Sequence, residues 1–130
     1  MRRTLITGWP RSGKSTLAGQ LAIEQGLSPI ATDSLMTTHS WSEASEAISY
    51  WFDEPSPWII EGVVIPRALR KWRARHPDKY PPFDLLIILP MPELELLKPG
   101  QITMGKGMDT VLLELAEWMA DAPCCVSDHS

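Results

Sequence analysis

The chain has 130 residues, 44% of them hydrophobic and 22% charged, which suits one compact α/β domain and leaves too little length for a second unit with its own core. A formal net charge of −4 and a pI near 5.3 exclude a surface that is basic all over, so any site for a polyanion has to be local. The composition also lies far from the low-hydrophobicity, high-charge signature of disorder. The two cysteines, Cys124 and Cys125, are adjacent, and sequence neighbours seldom reach disulfide geometry or offer metal-ligand spacing. A reducing cytoplasm is the expected setting. Arg2 and Arg3 are followed too soon by Gly8, Pro10 and Lys14 for the apolar region of a signal peptide. No stretch approaches the roughly 18 apolar residues of a membrane span, so neither export nor a membrane partner is expected.

In chain order, Arg3–Thr7 is a short apolar-leaning run ending at Gly8, and from Gly13 the spacing of Leu17, Leu21 and Ala22 is helical until Gly26 offers a stop. Residues 29–32 form a second short strand ending at Asp33. Ser40 and Glu43 have the spacing of a capping box, after which Trp41, Ala44, Ile48, Trp51 and Phe52 recur at helical intervals. Pro55 and Pro57 break that helix. Trp58–Ile65 is then apolar except for Glu61-Gly62, as in a buried parallel strand with a functional end. Pro66 suits the first turn of a third helix, which places Arg67, Arg70, Lys71 and Arg75 on its exposed face and stops before Pro77.

Phe83–Leu89 is the strongest strand signal, and Pro90–Gly107, punctuated by Pro and Gly without clear periodicity, reads as a mobile loop. Asp109 caps a last helix that turns Val111, Leu112, Leu115, Trp118, Met119 and Ala122 inward, and Cys124–Val126 offers a fifth strand. Strand alternating with helix is the pattern of a parallel sheet covered on both faces.

One motif carries chemistry outright. Gly8-Trp9-Pro10-Arg11-Ser12-Gly13-Lys14-Ser15, followed by Thr16, fits the P-loop pattern in full, and it lies between an expected strand and an expected helix. The glycines let the backbone curl until its N–H groups converge on phosphates, the helix dipole adds to them, and Lys14 reaches the outer phosphates as a point charge. Ser15 is placed to hold Mg²⁺ through its hydroxyl, so ATP and Mg²⁺ are the expected cofactors. P-loops serve several chemistries, and absences narrow them. The sequence has no asparagine, hence no Asn-Lys-x-Asp guanine-reading motif, and no Asp-x-x-Gly switch motif. Ring-forming ATPases need more chain than this.

TLITGWPRSGKST, then ATDS, WIIEGV and FDLLIILP, in that order and spacing, resemble the small P-loop kinases: nucleoside monophosphate kinases, shikimate- and gluconate-type kinases, and the kinase domain of polynucleotide kinases. The resemblance runs over roughly the first ninety residues. It implies a three-layer P-loop NTPase fold with a parallel sheet ordered 2-3-1-4-5 and the site across the C-terminal ends of strands one to three. It also implies Asp33 as the acidic residue that aligns the acceptor or takes its hydroxyl proton, and Glu61-Gly62 as the acidic-Gly pair near metal and acceptor.

The residues carry readings of their own. A carboxylate opposite a P-loop relieves an acceptor hydroxyl of its proton, whereas Asp33-Ser34 at a strand end also suits an Asx-turn or a cap. Glu61 interrupts an apolar strand, and a buried carboxylate needs a metal, a water shell or a cation, the last being Arg67 or Arg70. Arg67 and Arg70 are candidates to grip an acceptor phosphate, against a plain solvated helix face. Pro90–Gly107 contains no arginine for a lid, and Lys106, between Gly105 and Gly107, is the candidate lid cation. Trp9 and Trp41 are placed to stack on a base, with core packing as the default for Trp41. The expected activity is phosphate transfer from Mg²⁺-ATP to a nucleotide, nucleoside or small metabolite. The alternatives are a 5′-hydroxyl or modified base on nucleic acid, or a nucleotide-binding module with little catalysis. Nothing in the sequence speaks to oligomeric state.

Overall fold

The computed structural model describes residues 2–128. Five parallel strands form one sheet: β1 (Arg3–Thr7), β2 (Pro29–Ala31), β3 (Trp58–Glu61), β4 (Leu85–Ile88) and β5 (Cys125–Asp128), in the spatial order β2-β3-β1-β4-β5. This is the order that the resemblance to small P-loop kinases implies. Between the strands run α1 (Lys14–Gln25), α2 (Asp33–Met36), α3 (Trp41–Trp51), α4 (Ile65–Arg75) and α5 (Pro99–Ala120).

Alternation along the strands sorts the core into two layers. Leu5 of β1, Ile60 of β3 and Leu86 of β4 are buried against Ala44 and Ile48 of α3, Ala68, Leu69 and Trp72 of α4, and Val111, Leu115 and Met119 of α5. Their neighbours Ile6, Ile59 and Ile87 point the other way, onto Ala18 and Ala22 of α1. The same alternation sends Glu61, two residues after Ile59, to the α1 side of the sheet, where the helix begins. Period two therefore aims the one carboxylate of β3 at the P-loop.

Local signals explain most of the element ends. Ser40 accepts from the Glu43 backbone N–H at 3.1 Å while Glu43 accepts from the Ser40 N–H at 3.1 Å, closing the capping box of α3. Three expectations need correction. β3 stops at Glu61 rather than Ile65, because residues 63 and 64 turn the chain and Ile65-Pro66 already open α4. Pro90–Gly107 is no loop along its whole length: a 3₁₀ turn at Leu94–Leu96 leads into α5, which starts at Pro99 and runs for 22 residues. Asp109 consequently lies in mid-helix and caps nothing.

The reason α5 begins so early is a third cluster at the C-terminal edge of the sheet, where Trp9, Val63, Leu97 and Met108 are buried together. Trp9, 5% exposed, lies flat against α5 at Gly105, where any Cβ would run into its indole. Its indole N–H donates to Asp109 Oδ2 at 3.0 Å. Tertiary burial thus stabilises a helical stretch whose glycines weaken it locally.

These contacts set a matched pair of glycine substitutions. Gly105→Ala forces Trp9 off its seat and should destabilise the fold by about 1–3 kcal/mol, the usual range for overpacking. Gly19→Ala in α1, where a Cβ meets nothing within 4 Å, should instead stabilise by roughly 0.5–1 kcal/mol through helix propensity. Thermal unfolding of the two variants against the parent gives the comparison, and equal melting temperatures for all three contradict the packing described.

Candidate active site

The P-loop leaves β1 at Thr7 and re-enters helix at Lys14. Two residues hold positive φ: Arg11 at 62° and Gly13 at 93°. Glycine adopts this conformation freely, whereas Arg11 carries strain there, of the kind that clusters at ligand-binding turns. The turn closes through the Ser12 N–H to the Trp9 carbonyl at 3.2 Å, and the first α1 hydrogen bond follows, Leu17 N–H to the Gly13 carbonyl at 3.1 Å. The Trp9 carbonyl also accepts from Lys14 Nζ at 2.9 Å. The loop therefore curls around the ammonium group.

Opposite Lys14, at the end of β3, Glu61 is 2% exposed and Lys14 itself is 9% exposed. Burial pushes the Glu61 carboxyl above the ordinary carboxylate range, and the nearby Asp33 charge adds to that; Lys14 and the Ser15 hydroxyl pull it back. For Lys14, burial lowers the pKa while Glu61 and Asp33 oppose the fall. Ser15 Oγ lies 3.4 Å from Glu61 Oε2, a weak donor contact, and Glu61 Oε1 is buried without any hydrogen-bond partner. The cationic partners open to Glu61 in the sequence are elsewhere: Arg70 pairs with Glu114 at 3.2 Å, and the Arg67 guanidinium stacks 4.9 Å from the Trp41 ring centroid.

A second buried oxygen, Ser12 Oγ, is likewise unpartnered. Thr4 Oγ1 and Thr32 Oγ1 are unpartnered as well but line no cavity at this edge, so it is the placing of Glu61 and Ser12 on one cavity that marks a position for an ion, a water or a phosphate. A carboxylate oxygen and a serine hydroxyl suit a hard dication such as Mg²⁺, whose remaining positions go to water and phosphate oxygens. The donor set thus fits Mg²⁺ with Ser15 and Glu61 as the groups that would hold it. Among the described residues no cluster of three His, Cys, Asp or Glu side chains offers a cage for another metal.

Two adjoining cavities open at this edge. The smaller, about 160 Å³, is lined by Arg11, Ser12, Gly13, Lys14, Ser15, Thr16, Asp33 and Glu61 and is the candidate phosphate cradle. The larger, about 420 Å³, shares Arg11, Lys14 and Asp33 with it and continues past Pro10 to Met36, Thr37, Val63, Gln101 and Met104. Asp33, exposed at the start of α2, borders both.

The sequence-derived site residues divide accordingly. Pro10, Arg11, Ser12, Gly13, Lys14, Ser15, Thr16, Asp33 and Glu61 come together at the two cavities. Gly8 is buried at the base of the loop, where a Cβ would meet Ser12 Oγ at 2.7 Å. Six others are placed differently, Arg67 among them. Trp9 gives the site its carbonyl, but its indole is buried against α5 and has no free face for a base. Gly62 is buried because a Cβ would strike Thr32, and its carbonyl accepts from Thr7 Oγ1 at 2.8 Å, so it packs the sheet edge without lining a cavity. Trp41 is half-buried between two core clusters, with Arg67 over its ring. Arg70 is drawn to Glu114 of α5. Lys106 sits on a helix rather than a flexible hinge and points into solvent.

Sequence reading missed the cleft wall of Met36, Thr37, Val63, Gln101 and Met104. A signal existed for the α5 part: Gly105, Met108, Val111, Leu115 and Met119, all buried, continue the helical spacing back into the stretch read as loop once glycine is counted as a core residue.

No protein-family model matches the sequence. Among solved structures, a thymidylate kinase from Candida albicans superposes with a TM-score of 0.57 at 19% identity, over 98% of this chain and 83% of its own. A gluconokinase from Sinorhizobium meliloti 1021 does so with a TM-score of 0.54 at 16% identity, over 99% of this chain and 83% of its own. At these identities the likeness is one of fold. With sheet order, crossovers and phosphate loop all in place, the chain has the three-layer α/β P-loop NTPase fold that these two kinases share.

Proposed function

We propose that the chain is a small Mg²⁺-ATP-dependent phosphotransferase, passing the γ-phosphoryl group of ATP to an acceptor held in the cleft beyond Asp33. The observation that carries this reading is position. Asp33 lines both the phosphate cradle and the adjoining cleft, so one carboxylate stands between donor and acceptor.

Bound Mg²⁺-ATP supplies the phosphoryl group and a divalent charge on its oxygens. The chain does the rest. The loop amides and the N-terminus of α1 receive the phosphates, and Lys14, already desolvated, meets them in a medium of low dielectric where its charge acts strongly. Phosphoryl transfer asks mainly for alignment and charge stabilisation. Asp33 accepts the proton of the acceptor hydroxyl as the new oxygen–phosphorus bond forms and the bond to the β–γ bridging oxygen breaks, leaving ADP with the electron pair. Glu61 and Ser15 are the groups that would hold the metal.

A second reading, a nucleotide-binding module with little catalysis, is favoured by one feature: residues 90–107 bring no arginine to the site, and Lys106 points away.

Labelled ATP offered with Mg²⁺ to nucleosides, nucleoside monophosphates, small hydroxy compounds and oligonucleotides separates the two. Lys14→Ala should weaken ATP binding by roughly 10–100-fold, the loss of a charge-assisted phosphate contact. Asp33→Asn should bind ATP as the parent does and lose transfer by on the order of 10²–10⁴-fold, the contribution of a positioned base. Tight ATP binding with transfer to no acceptor removes Asp33 from that role and favours the module.

The direction of the Glu61 shift sets a pH dependence. Its folded pKa lies above the unfolded one, so in the window between the two the folded ligand-free chain holds the extra proton and loses stability as pH rises. Metal binding needs the anion. The Mg²⁺-dependent gain in ATP affinity should therefore appear only as pH rises through that raised value, at a pH higher than an ordinary carboxylate would require. Titration calorimetry across pH, with and without Mg²⁺, reads it, and Glu61→Gln should remove the Mg²⁺-dependent gain at every pH.

A further inference from the structure

The cations that α4 adds to the sequence are engaged within the protein. Arg67 covers Trp41 and Arg70 pairs with Glu114. Lys71 Nζ donates to the Ser42 carbonyl at 2.6 Å and to its hydroxyl at 3.1 Å. Arg75 Nη1 donates to Ser49 Oγ at 2.7 Å, with its guanidinium 3.9 Å from the Tyr50 ring centroid. None of them lines the 420 Å³ cleft. Its cations among the described residues are Arg11 and Lys14, and both belong to the P-loop and also line the phosphate cradle.

The far wall is neutral throughout: Met36, Thr37, Val63, Gln101 and Met104. Its polar groups are partly committed. Gln101 Oε1 accepts from the Lys98 N–H at 2.9 Å, which leaves the amide nitrogen as a donor, and Thr37 donates to the Ser34 carbonyl at 2.9 Å, which leaves its oxygen as an acceptor. Two thioethers and a valine supply a soft apolar surface. An anionic group pressed against this wall would lose its hydration without gaining a cation, beside Asp33 and the phosphates of the donor. A neutral molecule meets donor, acceptor and apolar surface together.

Resting on the phosphotransferase reading above, we infer that the acceptor is an uncharged hydroxyl compound with an apolar face, of which a nucleoside is an example, rather than a phosphorylated or carboxylated one. Its hydroxyl faces Asp33, and its remainder lies along Met36, Met104 and Val63. The bond made joins the hydroxyl oxygen to the γ-phosphorus, the bond broken is that to the β–γ bridging oxygen, Asp33 takes the proton, and ADP leaves.

The test uses the full chain saturated with Mg²⁺ and a non-hydrolysable ATP analogue. Calorimetric titration with nucleosides against their 3′- and 5′-monophosphates, and with polyols against the matching aldonates, compares molecules that differ in charge. The neutral member of a bound pair should bind at least tenfold more tightly. Equal or tighter binding of the anionic member, or no binding by any neutral compound, overturns the inference. Thr37→Arg places a cation on the far wall from an exposed position and should shift the preference at least tenfold toward the anionic member; an unmoved preference overturns the assignment of this wall. Transfer from labelled ATP is read separately. Transfer to an anionic acceptor alone sinks the inference and leaves the phosphotransferase standing, whereas preferential neutral binding with no transfer upholds the inference on the cleft and sinks the phosphotransferase.

Discussion

The P-loop edge of this fold depends on burying two opposite charges, Lys14 and Glu61, where three strands end. Removing a carboxylate and an ammonium from water is unfavourable, and neither group here is fully answered by protein: Glu61 keeps an unpartnered oxygen and Lys14 donates to a single carbonyl. Replacing both by hydrophobic residues would relieve that cost, whereas replacing one alone would leave the other charge buried and unopposed. Keeping both makes sense if a ligand completes them, since a dication satisfies the carboxylate and a polyphosphate satisfies the ammonium.

Holding those charges in place requires a rigid loop, and rigidity comes from behind it. Trp9, at the second position of the P-loop, is clamped between Gly105 and Asp109 of α5, while its carbonyl anchors both the Ser12 N–H and Lys14 Nζ. Arg11 adds a second tie, from Nη1 to the Leu96 carbonyl at 3.3 Å. The P-loop and the helix that walls the 420 Å³ cleft are therefore one packed unit, so a displacement of α5 is transmitted to the loop through an indole ring.

The same packing decides what the cleft is made of. Because α5 begins at Pro99, Gln101 and Met104 fall one turn apart and face the cleft, while Lys106 is carried round to solvent. Because α4 packs against α3 and α5, its arginines find Trp41, Glu114 and Tyr50 before they find a ligand. The chemistry of the far wall follows from helix phase rather than from the abundance of basic residues in the sequence.

The strand order followed from the resemblance to small P-loop kinases; by itself the sequence determined the P-loop with its Lys14 and Ser15, the place of Glu61 in an apolar strand, the capping box of α3 and the helical run of α1. These are written in local terms: motif spacing, period two or 3.6, and punctuation by Gly and Pro, each acting over a few neighbouring residues. The tertiary structure alone decided that 99–107 is helix, that Trp9 belongs to the core, that Gly62 packs against Thr32, and that Arg67 and Arg70 are engaged. Each of those outcomes depends on a partner between 26 and 100 residues away, Trp41 for Arg67, Glu114 for Arg70, Thr32 for Gly62 and Asp109 for Trp9. A side chain that can pair with either a ligand or its own fold is settled by which surface reaches it first, and only packing in three dimensions fixes that distance.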